Sequence, residues 1–178
     1  LSQQMAFEYP SEVNEALSTI EKLSASPEQV LRGKVLKDSI SQENSWIIKQ
    51  WIFNEDAEGW VATNNCQLNV LDGYLEVEGT GLDPYFECNA SLPSGSATIS
   101  LRTRYLEGDT MQIFWRTDIN PVYGDPDMIA NISILPEHGR WQELSVPVVF
   151  KGKVIALRID PMIGKGKICI DWIRITHN

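Results

Sequence analysis

Two stretches at opposite ends of the chain place acidic side chains beside strands. "WIFNEDAEGW" sets Asn54, Glu55, Asp56 and Glu58 between Phe53 and Trp60, and "GKGKICIDWIRI" sets Asp171 in a row of isoleucines. Clustered hard oxygens suit Ca²⁺, which takes about six to eight oxygen ligands, backbone carbonyls among them. First and last strands are commonly neighbours in sandwich folds, so Glu55, Asp56 and Asp171 are the candidate ligands of a structural calcium ion. Strict alternation puts Cys169, Asp171, Ile173 and Ile175 on one face of the final strand and Ile168, Ile170 and Trp172 on the other. An unpaired carboxylate in such an apolar row is costly, so Asp171 needs a partner. The alternative to calcium is a solvated acidic turn, with Asp171 paired to Arg158 or Arg174.

A second set of residues suits ligand binding. In "ATISLRTRY", Ile99, Leu101, Thr103 and Tyr105 alternate with Ser100, Arg102 and Arg104; in "MQIFWR", Met111, Ile113 and Trp115 alternate with Gln112, Phe114 and Arg116. With the first set of each turned to the core and the two strands neighbours, one sheet face displays Arg102, Arg104, Gln112, Phe114 and Arg116. Arg158 joins it from "ALRID". Planar guanidinium forks, an amide and an aromatic ring on a rigid sheet match sugar hydroxyls, carboxylates or sulfates. The opposite register presents Tyr105 and Trp115 as stacking platforms. Any half-exposed strand alternates in this way, so a plain solvated or packing face stays open as well. The loop "DINPVYGDPD" is a further candidate, since long loops at sandwich ends often bind. Trp51, Trp60, Trp141 and Trp172 are assigned to the core.

Signals for catalysis are missing. The two histidines occur in "PEHG" and in the terminal "THN", away from any nucleophile motif. No GxSxG and no phosphate-cradling glycine loop appears, so the chain is read as not an enzyme. Cys66, Cys88 and Cys169 contain no CxxC spacing, which argues against zinc. Cys66 and Cys88 form a disulfide if the chain is exported, or all three are small packing groups.

The elements that must position these residues are mostly strands. From Lys34 onward, β-branched and aromatic residues rise and turn signals such as "LDG", "GTGLDP", "LPSG" and "PEHG" recur. About ten short strands result, the cadence of an all-β fold. The closing "IALRIDPMIGKGKICIDWIRI" reads as two such strands joined in a buried hairpin. Ahead of them, "SEVNEALSTIEKLSA" carries Val13, Leu17, Ile20 and Leu23 at helical spacing, and "SPEQVLRG" is a second short helix. The expected architecture is a two-sheet antiparallel β-sandwich, a jelly roll, over residues 34–178, behind a helical lead-in over residues 1–33. Lys and Arg number 15 against 24 Asp and Glu, a net charge of −9. That field repels phosphate backbones and anionic lipid, so neither nucleic acid nor a membrane is an expected partner. Beginning at Leu1, the chain is read as a processed or excised piece.

The motifs "WIFNEDAEGW", "DGYLEVEGTGLDPYF", "QIFWRT", "GRWQELSVPV", "ALRIDP" and "GKGKICIDWIRI" together resemble carbohydrate-binding-module-like jelly-roll domains of secreted bacterial polysaccharide-processing enzymes, over about residues 46–176. The resemblance implies a non-catalytic accessory module, secreted or periplasmic, that binds or positions a polysaccharide or docks beside a catalytic domain. It also implies a structural Ca²⁺ held by Glu55 or Asp56 and by Asp171. "LSQQMAFEYPSEVNEALSTIEKL" resembles the C-terminal helix of bacterial sulfatases, which implies a sulfatase-like parent. The sulfatase nucleophile motif is absent, so this stretch is not its catalytic part. A structural module packed against a partner domain, with no sugar site, is the competing expectation.

Overall fold

The computed structural model describes residues 46–106, 110–134 and 139–177. The two expected helices, the rest of the lead-in and the sulfatase-like stretch lie outside the described residues. Among the described residues there are eleven strands: β1 (Ile47–Ile52), β2 (Val61–Asn64), β3 (Cys66–Leu71), β4 (Tyr74–Gly79), β5 (Tyr85–Leu92), β6 (Gly95–Tyr105), β7 (Thr110–Thr117), β8 (Ile129–Ser133), β9 (Trp141–Phe150), β10 (Val154–Asp160) and β11 (Gly166–His177). They form two antiparallel sheets. One runs β3-β4-β11-β6-β9, with β1 also paired to β11; the other runs β2-β5-β10-β7-β8. No helix among the described residues is long and apolar enough to cross a membrane.

Alternation builds the core between the sheets, because successive side chains on a strand point to opposite faces. On β6, Ile99, Leu101, Thr103 and Tyr105 are buried, while Ser100, Arg102 and Arg104 are half-buried on the other face. On β7, Met111, Ile113 and Trp115 are buried in the same way. Trp51, Trp60 and Phe86 meet edge to face, with ring centroids 5.5 and 5.2 Å apart. Both buried hydroxyls of the β6 inner row are partnered: that of Thr103 donates to the Cys169 carbonyl at 2.9 Å and that of Tyr105 to the Pro161 carbonyl, so neither is orphaned.

Three expectations are corrected here. First, the closing stretch is not a hairpin: β10 is flanked by β5 and β7 in one sheet, and β11 by β6, β4 and β1 in the other. Likewise β6 and β7, consecutive in sequence, belong to different sheets. Second, strict alternation fails on β11. Ile170 faces Thr103 and Trp172 faces Arg102, so Asp171 is an extra residue, a β-bulge. The bulge resets the count: Ile168, Ile170, Ile173 and Ile175 all lie in the core, and Asp171 leaves the apolar row. Third, Trp141 and Trp172 are only half-buried, whereas Trp115 is 2% exposed and joins the core.

Ten strands were legible and β2 was not. Val61, Ala62 and Thr63 are all exposed, so no alternation marks it. Cys66, Cys88 and Cys169 are free thiols. Cys66 Sγ donates to the Tyr85 carbonyl at 3.0 Å, and Cys88 and Cys169 are buried packing groups.

One close approach fixes the β10–β11 connection. A Cβ on Gly79 would lie 2.7 Å from the Gly164 carbonyl oxygen and 3.0 Å from Met162 Sδ. Only glycine lets the end of β4 seat that loop. Tyr105 holds it from the other direction, its hydroxyl donating to the Pro161 carbonyl at 3.1 Å.

Candidate functional site

Because β6 and β7 lie in different sheets, the expected single face divides in two. Arg102 and Arg104 project from the outer face of the six-stranded sheet. Gln112, Phe114, Arg116 and Arg158 project together from the outer face of the five-stranded sheet.

The register of the five-stranded sheet places Arg158 at its centre, opposite Glu87 on β5 and Phe114 on β7. Two residues along, Asp160 lies opposite Gln112, which lies opposite Asn131 on β8. A bulge at Ile155 resets β10, so that Leu157 and Ile159 face the core while Arg158 and Asp160 face out. This is why "ALRID" carries charges beside isoleucine: the charges belong to the outer face.

Arg158 is held from several directions. Its Nε and Nη2 donate to the two carboxylate oxygens of Asp160, both at 2.6 Å, a fork-to-fork pair. Nη2 also reaches Asp83 Oδ1 at 3.4 Å. The guanidinium lies 3.5 Å from the Tyr85 ring centroid and 5.1 Å from that of Phe114. Its side chain is only 17% exposed and that of Asp160 11%, so the pair is fixed rather than waving in solvent. Burial pushes the Asp160 carboxyl above the usual carboxylate range, against the pull of the Arg158 hydrogen bonds.

The β7–β8 loop, a sequence candidate in its own right, folds over the same face. Asp125 caps the short 3₁₀ turn Pro126–Met128, its Oδ1 accepting from the Asp127 amide at 2.9 Å. Tyr123 comes down from this loop. Its hydroxyl donates to Glu87 Oε2 at 3.0 Å, and the Arg116 guanidinium sits 4.7 Å from its ring centroid. Burial, then the nearby Glu87 charge, raise the Tyr123 pKa and keep the phenol protonated. At the other end the face runs into a cleft of about 540 Å³, lined by Leu82, Asp83, Gln112, Asn131, Asp160 and Ile163 among others. Tyr123 lay in the loop that the sequence offered as a candidate, whereas Tyr85, Glu87 and Asn131 escaped the sequence reading. The only signal for them was outward alternation on β5 and β8, which every half-exposed strand shows.

On the six-stranded sheet, Arg102 Nη1 donates to Asp171 Oδ2, across the β11 bulge. Asp171 is thus partnered by Arg102 rather than by Arg158 or Arg174; Arg174 donates instead to Gln50 Oε1 at 2.8 Å. Glu55 and Asp56 sit exposed in the β1–β2 turn, where Asp56 Oδ1 accepts from the Glu58 amide at 2.6 Å. β1 and β11 are indeed neighbours. Even so, among the described residues no group of three or more His, Cys, Asp or Glu is placed to hold a metal ion.

No family model matches the chain, and no curated protein matches it. Solved structures share its fold. The apo BiXyn10A CBM1 module aligns with a TM-score of 0.56 at 11% identity, over 75% of this chain and 99% of that one. The CBM22-1–GH10 modules of Clostridium thermocellum xylanase 10B, complexed with xylohexaose, align with a TM-score of 0.59 at 12% identity, over 75% of this chain and 28% of that one. A family 35 carbohydrate binding module from Clostridium thermocellum aligns at 0.52 and 17% identity, over 73% of this chain and 99% of that one. At these identities the likeness shows the fold: the β-sandwich of carbohydrate-binding modules.

Proposed function

We propose that the chain is a non-catalytic carbohydrate-binding module and that a saccharide lies across the outer face of the five-stranded sheet, over Tyr85, Arg158 and Phe114. The observation that carries this is the fixed guanidinium between two aromatic rings on a sheet face. Rings offer sugar C–H faces an apolar platform, while Glu87, Gln112 and Asn131 on the same strands offer hydrogen bonds to hydroxyls. Orientation by Asp160 means little side-chain entropy is lost on binding. The fold shared with carbohydrate-binding modules supports the same reading. So does the adjoining cleft, whose volume is in the range of small-ligand sites.

The balance of charge on this face points to a neutral glycan. Asp83, Glu87 and Asp160 surround Arg116 and Arg158, so an acidic sugar meets more carboxylate than guanidinium. Such a module serves as an accessory part of a secreted or periplasmic polysaccharide-processing enzyme. The sulfatase-like parent is part of this proposal and is carried by the resemblance of residues 1–23.

The test is affinity electrophoresis and calorimetry on a panel of neutral polysaccharides, with xylan included because of the xylohexaose bound in the xylanase 10B structure. Native chain should bind at least one polymer, and Phe114→Ala or Tyr85→Ala should weaken binding about tenfold, as loss of one stacking contact of about 1.4 kcal/mol predicts. Retention on no polymer, or variants that bind as tightly as the native chain, would turn the assignment to a structural module packed beside a catalytic domain.

A further inference from the structure

The outer face of the six-stranded sheet carries a second arrangement, independent of the first. Arg104 of β6 lies under two rings. Its guanidinium carbon is 5.5 Å from the ring centroid of Tyr74, on β4, and 5.0 Å from that of Trp141, on β9. The two rings meet edge to face, 5.8 Å apart at 69°. Arg102 packs on the same Trp141 ring, also at 5.0 Å.

The cations of this face differ in one respect. Arg102 is engaged by Asp171. Lys167 reaches Glu76 at 3.0 Å and Glu78 at 3.7 Å. Arg174 binds the Gln50 side chain. Arg104, by contrast, meets neutral partners among the described residues, Cys169 Sγ at 3.6 Å, a weak acceptor, and the Tyr74 side chain, and its Nε is buried with no hydrogen-bond partner there. No carboxylate among the described residues stands within salt-bridge distance of it. A guanidinium held flat by aromatic packing, with no counter-ion among the described residues, is prepared to take a planar or tetrahedral oxyanion through its fork.

We propose that Arg104, with the half-buried rings of Tyr74 and Trp141, forms a second saccharide site that takes a sugar bearing a carboxylate or a sulfate. The oxyanion meets the Arg104 fork, and the Trp141 ring supports the pyranose. Ser100 and Ser145, hydrogen-bonded to each other at 2.9 Å on neighbouring strands, continue the polar row for hydroxyls. The net charge of −9 does not oppose this at contact range, since salt screens fields beyond about 8 Å at physiological ionic strength. A second site on the opposite face, with the opposite charge preference, would let one module hold two kinds of sugar residue.

The experiment uses the full chain in native gels containing polygalacturonate, dextran sulfate or unmodified dextran, at physiological salt. At least one anionic polymer should retard the chain and neutral dextran should not. Polygalacturonate alone identifies a carboxylate ligand, and dextran sulfate alone a sulfate. Arg104→Gln should weaken that binding about tenfold or more, the usual scale for loss of a charge-assisted hydrogen bond. Arg104→Lys, which keeps charge without the fork, should fall between, while Phe114→Ala on the other sheet should leave it unchanged. Circular dichroism of each variant shows that the fold is kept. No retardation by either anionic polymer, equal retardation by dextran, or full binding by folded Arg104→Gln would overturn the assignment. Each of those results leaves the five-stranded face untouched.

Discussion

Deleting Asp171 tests the bulge on which both the core and the Arg102 contact depend. With the residue removed, plain alternation from Ile170 makes Trp172 face outward and Ile173 and Ile175 inward, the orientation they already have. The loss is then confined to the ion pair with Arg102 and to local twist. That pair is 39% and 26% exposed at its two side chains, so solvent screening limits it to about 0.2–1 kcal/mol. Deletion should therefore lower stability by about 1–2 kcal/mol once the twist of the bulge is included. Asp171→Ala, which keeps the bulge but not the carboxylate, should lose no more than about 1 kcal/mol. The contrary case is a strand whose facing is counted through Asp171. There, deletion would turn Ile173 and Ile175, now 1% and 0% exposed, out to solvent. That would cost about 3–6 kcal/mol, comparable with the whole stability of a small domain. Urea unfolding of the three proteins, compared at equal m-value, separates the cases. A deletion variant that loses 3 kcal/mol or more, or does not fold, would refute the bulge as described here.

Two further predictions concern the cysteines and calcium. Burial pushes the Cys88 thiol up to about 12, so alkylating reagent at pH 8 should leave Cys88 unmodified in the native chain and label it once denaturant is added; reductant should leave the melting temperature unchanged, because all three cysteines are free. A drop in melting temperature with reductant would show a disulfide instead. For calcium, melting with and without chelator, on native chain and on Asp171→Asn, is the decisive comparison. With Asp171 turned to Arg102 the substitution should leave any chelator response as it was, and a response abolished by it would return the ion to that carboxylate.

What the sequence made legible and what it hid have a common physical origin. Alternation reports which side of a strand is buried, so the inner rows of β6 and β7 were readable residue by residue. It does not report which sheet a strand enters, and for that reason Arg102 and Arg104 were joined to Gln112, Phe114 and Arg116 on one surface when they stand on two. A single extra residue is invisible to a period of two, which is how Asp171 came to be placed among the isoleucines. Size misled with Trp141 and Trp172: large apolar rings were assigned to the core, although a ring packed on arginine is stable at half exposure. β2, exposed over Val61, Ala62 and Thr63, offered no period at all.

The placement of β10 and β11 bears on how the chain comes to be folded during synthesis. These are the last strands described, and each is an interior strand of its sheet: β10 lies between β5 and β7, and β11 pairs with β6, β4 and β1. The β3–β4 and β7–β8 pairs are local and can form as soon as they leave the ribosome. Neither sheet can close until the final two strands arrive, so earlier strands wait with unpaired edges, the condition in which β proteins invite wrong partners. Translation at about 5–20 residues per second makes that wait last several seconds. In this topology the order of synthesis and the order of assembly run opposite ways, and the keystones are laid last.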